Sequence, residues 1–130
     1  MNIVKEYPPN ITKIRNAFPI EVNTVFTYGD NLYAPLVEFE IPPDLLAHEK
    51  THTIQQGPDP EAWWDKYIAD PKFRFDQELE AYRNQYRFYC KFVKGRNERF
   101  KFLVTIAHDL SSPLYGSMVG FLEATNLIKS

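Results

Sequence analysis

From Pro71 to Gly95 the chain reads PKFRFDQELEAYRNQYRFYCKFVKG, with no glycine or proline between its ends. A breaker-free stretch this rich in aromatic and helix-favouring side chains predicts one long helix, so the remaining elements have to pack along a rod of about 33 Å. Those elements must be short, because ten prolines punctuate the 130 residues. A chain of this length matches one domain, residues 1–130, and any site has to form within a single core.

After Pro8-Pro9, ITKIRNAF sets Ile11, Ile14 and Phe18 at helical spacing and predicts a short helix ending before Pro19. VNTVFTYGDNLYAP predicts a hairpin, with strands near 22–28 and 32–34 about a Gly-Asp-Asn turn. LVEFEI alternates, with Val37, Phe39 and Ile41 against Leu36, Glu38 and Glu40, and predicts an edge strand with one wet face. Pro42-Pro43-Asp44 then starts a helix through DLLAHEKTHTIQQ, which Gly57-Pro58 ends. EAWWDKYIAD, ERFKFLVTIAHDL and YGSMVGFLEATNLI predict further helices, the last two separated by Ser111-Ser112-Pro113. A small antiparallel sheet followed by helices is an α+β layout.

A net charge of −2 gives no basic excess for nucleic acid or anionic lipid, and no segment approaches the roughly 18 apolar residues of a membrane span. MNIVKEYPPN lacks an apolar core, so a soluble chain without its own export signal is expected. The only cysteine, Cys90 in RFYCKFV, excludes an internal disulfide and a cysteine metal cluster, and reads as a small apolar helix residue.

The chemistry concentrates in HEKTH, residues 48–52. Residues four apart share a helix face, so His48 and His52 can aim imidazole nitrogens at one ion, and Glu49, one step round, stands near a water at that ion. This is the H-E-x-x-H pattern of zinc hydrolases, in which the glutamate is the general base. A shuffled chain with three histidines makes the pattern in about one case in 300, so context has to decide. One supporting feature is LVEFEI, placed before the helix where an edge strand could hold an extended substrate by main-chain hydrogen bonds.

A catalytic zinc needs a third protein ligand. A glycine at 55 and a histidine at 58 would make a metzincin, but the chain has Gln55 and Pro58. The remaining donors are Glu78, Glu80, His108 and Asp109. On the long helix Glu80 aligns with Arg83, Asn84, Arg87 and Lys91, a solvated stripe, whereas Glu78 aligns with Phe75, Tyr82, Gln85 and Tyr89. A carboxylate on an aromatic face is costly unless paired or metal-bound, which points to Glu78 as ligand, with an intrahelical or capping carboxylate as the alternative. His108 reads as a core or helix-end histidine, Asp109 as a helix-terminal acid, and Trp63 and Trp64 as core residues.

With these residues in place the chain resembles zinc metallopeptidases of the gluzincin type: His48-Glu49-Lys50-Thr51-His52 on one helix and Glu78-Leu79-Glu80-Ala81-Tyr82 on a later one. More narrowly, PPDLLAHEKTHTIQQ, AWWDKY, DPKFRFDQELEAYRNQYR and LSSPLYG look like small metallopeptidases encoded by tailed bacteriophages and prophages, from about Tyr28 onward. The resemblance implies a minimal zincin-like domain with His48, His52 and Glu78 as Zn2+ ligands and Glu49 as catalytic base. Many of the broader group have aspartate where this chain has Tyr82, so support for the ligand histidines must come from elsewhere, with Gln56, Gln85 or a backbone carbonyl as candidates. Aspzincins place a ligand aspartate three residues before a Tyr-Gly pair; here position 112 is serine, and Tyr115 reads either as an aromatic turn anchor or as a donor to an oxyanion.

The expected function is hydrolysis of a peptide or peptide-like amide, with Glu49 taking a proton from water and passing it to the leaving amine. A phage setting, by analogy, implies the host cytoplasm or the virion as its place, and a cell-wall peptide, a structural protein or a host protein as substrate. The alternative is a virion binding or structural module whose zinc site only staples a small core, and a weaker third is a metal sensor.

Overall fold

The computed structural model describes residues 1–130 and runs β1 (Asn2–Val4), α1 (Ile11–Ala17), β2 (Phe26–Tyr28), β3 (Asn31–Tyr33), α2 (Pro43–Gln56), α3 (Pro60–Ala69), α4 (Pro71–Phe92), α5 (Arg96–Leu110), a 3-10 turn at Pro113–Tyr115, and α6 (Phe121–Lys129). The architecture is α+β and mostly helical. Two Asp-Pro pairs begin the central helices. Asp59 and Asp70 accept from the amides of Ala62 and Phe73 at 3.0 and 3.1 Å, and Pro60 and Pro71 follow at a position where a missing N–H costs nothing. Gly57 ends α2 at φ +58°, ψ −138°, a conformation open in practice only to glycine.

The sheet differs from the antiparallel one expected. Its order is β1-β3-β2; β2 and β3 form the hairpin about Gly29-Asp30, but β1 joins β3 in parallel, so the sheet is mixed. The first hairpin strand begins at Phe26 rather than near residue 22. LVEFEI is not a strand. Val37 is fully buried while Phe39 is 47% exposed, so the alternating set shares no face, and Pro35, Pro42 and Pro43 flank it with residues that cannot donate to a ladder. The edge beside α2 belongs instead to β2. The helix expected across YGSMVGFLEATNLI forms only from Phe121, because Gly116 and Ser117 turn the chain through positive φ.

Two apolar clusters make the core. One joins α4, α5, α6 and the 3-10 turn through Phe75, Tyr82, Leu103, Ile106, Leu110, Tyr115 and Ile128. The other joins α1, β2 and α3 through Ile14, Phe26, Trp63, Trp64 and Tyr67. Helix α2 packs chiefly against α4 and touches both clusters at one place: the His48 ring meets Tyr82 at 4.5 Å and the His52 ring meets Trp63 at 5.4 Å. No helix is long and apolar enough to cross a membrane.

Candidate metal centre

The polar residues of this seam sit where an apolar core would otherwise close. His48, Glu49 and His52 on α2, and Glu78 and Gln85 on α4, are all buried to within 7% exposure. Groups this polar stay buried only if their hydrogen-bonding capacity is met. His48 Nε2 and His52 Nε2 lie 3.0 and 3.2 Å from the same oxygen, Glu78 Oε1, and the three ligand atoms fall within 4.8 Å of one another. The other oxygen, Oε2, accepts from the Tyr67 hydroxyl at 2.6 Å.

Two glutamines fix the histidines from behind. Gln85 Oε1 is 2.9 Å from His48 Nδ1, and Gln85 Nε2 donates to Asp44 Oδ2 at 2.9 Å. Gln55 Oε1 is 2.7 Å from His52 Nδ1, and Gln55 Nε2 donates to the Gln77 carbonyl and to Glu80 Oε1. Acceptors on the far side of each amide settle which end is nitrogen, so each amide oxygen faces a ring nitrogen and each Nδ1 carries the hydrogen. Neutral rings then turn both Nε2 lone pairs toward a carboxylate oxygen, and three lone pairs at this spacing repel unless positive charge lies between them. Protons or a cation can supply it. Two imidazole nitrogens, one carboxylate oxygen and an outer shell that fixes the tautomers form a donor set able to hold a metal ion.

The electrostatics agree. Burial alone would depress the His52 imidazolium, but the adjacent Glu78 charge and hydrogen bond outweigh it and raise its pKa to about 9. Burial likewise opposes ionisation of Glu78, yet His52 and His48 hold its carboxyl well below the usual range. Burial, followed by the Glu78 charge and hydrogen bond, pushes the Tyr67 hydroxyl well up, so it stays a donor.

Glu49 opens onto the same cleft, of about 980 Å³, which also takes in Thr27, Tyr82, Asp109 and Tyr115. Its Oε2 accepts from Thr27 Oγ1 at 2.7 Å. Thr27 is held in turn, since its carbonyl accepts from Gln56 Nε2 at 2.8 Å and Trp64 Nε1 at 2.9 Å. Strand β2 is thereby locked onto α2. Tyr115 is buried in the 3-10 turn with its ring edge against Tyr82, and burial, with the Glu78 charge next, raises its hydroxyl far above the ordinary value. Asp109 stands at the cleft rim, where partial burial raises its carboxyl against the pull of His48 and His108.

The structure therefore brings His48, His52 and Glu78 together and sets Glu49 beside them. Glu80 is exposed, and it accepts from Gln55 rather than pairing with Arg83 or Arg87. His108 is also exposed, stacked on Phe121 at 4.4 Å and away from the cluster. Of the expected supporting residues, Gln85 serves His48, but Gln55 rather than Gln56 serves His52; Gln56 ties the Gly29 amide and the Thr27 carbonyl instead. Trp63 and Trp64 belong to the second cluster, and Cys90 is a half-buried helix residue. Sequence reasoning missed Thr27, Tyr67 and Gln55. Gln55 had a signal, because it lies three residues after His52 on the same helix face. No family model, curated protein or solved structure matches this chain.

Proposed function

We propose that this chain is a zinc-dependent hydrolase of peptide or peptide-like amide bonds, built as a minimal zincin-like domain with a gluzincin-like ligand set. The observation that carries the reading is the convergence of His48 Nε2, His52 Nε2 and Glu78 Oε1, with the buried carboxylate of Glu49 opening onto the same cleft. Thr27 engages only one oxygen of that carboxylate, and a purely structural site gives the other no duty. Zinc held by only these three protein ligands would keep a position for a reactant, as catalytic rather than structural sites do.

When bound by His48, His52 and Glu78, zinc supplies a Lewis-acid charge that polarises a carbonyl and makes nearby water more acidic. The rest falls to the chain. Glu49 takes the proton from the attacking water and returns it to the leaving amine. Thr27 occupies one carboxylate oxygen of Glu49 and so fixes the direction of the other. Tyr115, kept protonated by its burial, donates to the oxygen that gains charge as the tetrahedral centre forms. Gln85 and Gln55 hold the histidine tautomers through the cycle.

The test is Glu49→Gln. Zinc content and fold should be unchanged, measured by elemental analysis and circular dichroism, while cleavage of a mixed peptide library falls by about 100-fold or more, the usual worth of a general base. Loss of zinc from that variant would make Glu49 a ligand, and undiminished cleavage would end the mechanism.

A further inference from the structure

Arg74 is the one Lys or Arg side chain lining the cleft, and it is 93% buried without a carboxylate partner, its relative exposure being 7%. Its Nε donates to the Leu114 carbonyl at 3.0 Å, and its Nη1 donates to the carbonyls of Tyr67 and Ile68 at 2.8 and 3.2 Å. These bonds fix the guanidinium between the end of α3 and the 3-10 turn, with Phe18 beneath it at 5.0 Å. Nη2 donates to nothing in the protein. It is not sealed off either, since Asn10 alone has side-chain atoms both buried and unpartnered. A buried guanidinium with half its fork satisfied by carbonyls and half free is built for an anion that the protein does not itself provide.

We infer that Arg74 binds a carboxylate of the substrate. This rests on the hydrolase reading for the cleft being where substrate lies. Arg74 lies one helical turn before Glu78 on α4, about 6 Å along the axis, and lines the same cleft. Two sources supply this chemistry: the free carboxylate of a chain end, or the side chain of an acidic residue. The other acids of the lining, Glu21, Glu49, Glu78 and Asp109, repel a carboxylate, and the His52 imidazolium is already paired with Glu78, so Arg74 is the cation left free to receive one. Arg74 is in this account a specificity residue; it transfers no proton and forms no bond to the reacting atoms.

The test is binding, read from the fluorescence of Trp63 and Trp64 and by calorimetry, on chelator-treated and on zinc-loaded protein. The probes are N-acetyl-glycyl-phenylalanine, its C-terminal amide, and the α-amide of N-acetyl-glycyl-glutamic acid, which carries only a side-chain carboxylate. At least one acid probe should bind about 10-fold or more tighter than the neutral amide in both metal states, as a charge-assisted hydrogen bond implies. Which acid wins identifies the source. Arg74→Gln should erase the preference with the fold checked by circular dichroism, and Arg74→Lys should restore only part of it, having charge without the fork. Equal binding of acids and amide by the unmodified protein overturns the inference without recourse to any variant. A preference present only with zinc also overturns it, since the carboxylate would then sit on the metal. If zinc fails to bind but the preference holds in chelator-treated protein, the hydrolase reading falls while carboxylate binding at Arg74 stands.

Discussion

Glu78→Gln separates a metal site from a buried ion pair, because the amide keeps the volume and one acceptor oxygen but cannot carry charge. In metal-free protein the carboxylate lies 3.0 and 3.2 Å from the Nε2 atoms of His48 and His52 and accepts from the Tyr67 hydroxyl, all buried. Cutting a buried charged partner costs about 3–5 kcal/mol when a charge is stranded; here the His52 imidazolium can shed its proton, so about 1–3 kcal/mol is expected. The zinc-linked part is larger. At a zinc concentration about 1,000 times the native Kd, binding adds about 4 kcal/mol; a site weakened about 100-fold gains only about 1.4 kcal/mol at the same concentration. For a chain of 130 residues about 1 kcal/mol moves Tm by about 4 °C, so zinc should raise Tm by about 15 °C in the native protein and about 5 °C in the variant. Scanning calorimetry with and without zinc measures both, with exposed Glu80→Gln as a control expected to shift by no more than about 1 kcal/mol. Equal zinc-induced shifts in native protein and Glu78→Gln would refute the ligand assignment.

Other expectations follow from the same geometry. His52 has its pKa raised from 6.5 to about 9 in the folded metal-free chain, so the stability from its pairing with Glu78 is fully present below about pH 6.5 and is lost as pH rises through 9. Chelator-treated protein should therefore show a falling Tm between pH 7 and 9, and Glu78→Gln a flatter profile. Gln85→Leu and Gln55→Leu should each weaken zinc about 10- to 100-fold with the fold intact, as calorimetric titration would show; native affinity in both would mean the amides do not orient the rings. Gly57→Ala should cost about 1–3 kcal/mol in a urea melt from backbone strain alone, since no atom lies within 4 Å of the added Cβ.

What the sequence made legible was the part set by short-range rules. Pro43, Gly57, Pro60 and Pro71 punctuate α2, α3 and α4 where local chemistry says they should. The choice of Glu78 over Glu80 needed only the pitch of one long helix, and the structure buries Glu78 with the histidines while leaving Glu80 in solvent. Pairing was the illegible part. Strands of three residues carry too little alternation to be seen, so β1 was missed, and LVEFEI has the pattern of a strand without a partner to pair with. Thr27 and Tyr67 reach the site from other elements across 22 and 11 residues of chain, a contact no local pattern encodes. Gln55 and Gln56, three and four residues after His52, both fall on its side of the helix, so the local signal did not choose between them; Gln56 is taken up by Thr27 and Gly29 instead.

The two histidines bridge clusters that share no buried residue, and this alters how the chain can vary. A site carried by one rigid element tolerates change elsewhere. Here a substitution in α6 that lets Tyr82 shift and one in α1 that lets Trp63 shift arrive at neighbouring imidazoles from opposite sides. Drift in either cluster must be matched by the other, or the spacing of the two Nε2 atoms is lost. The freely variable positions are then the solvent faces of α1, α5 and α6, and lineages of such a chain should diverge there first while the aromatic contacts on either side of His48 and His52 change only in concert.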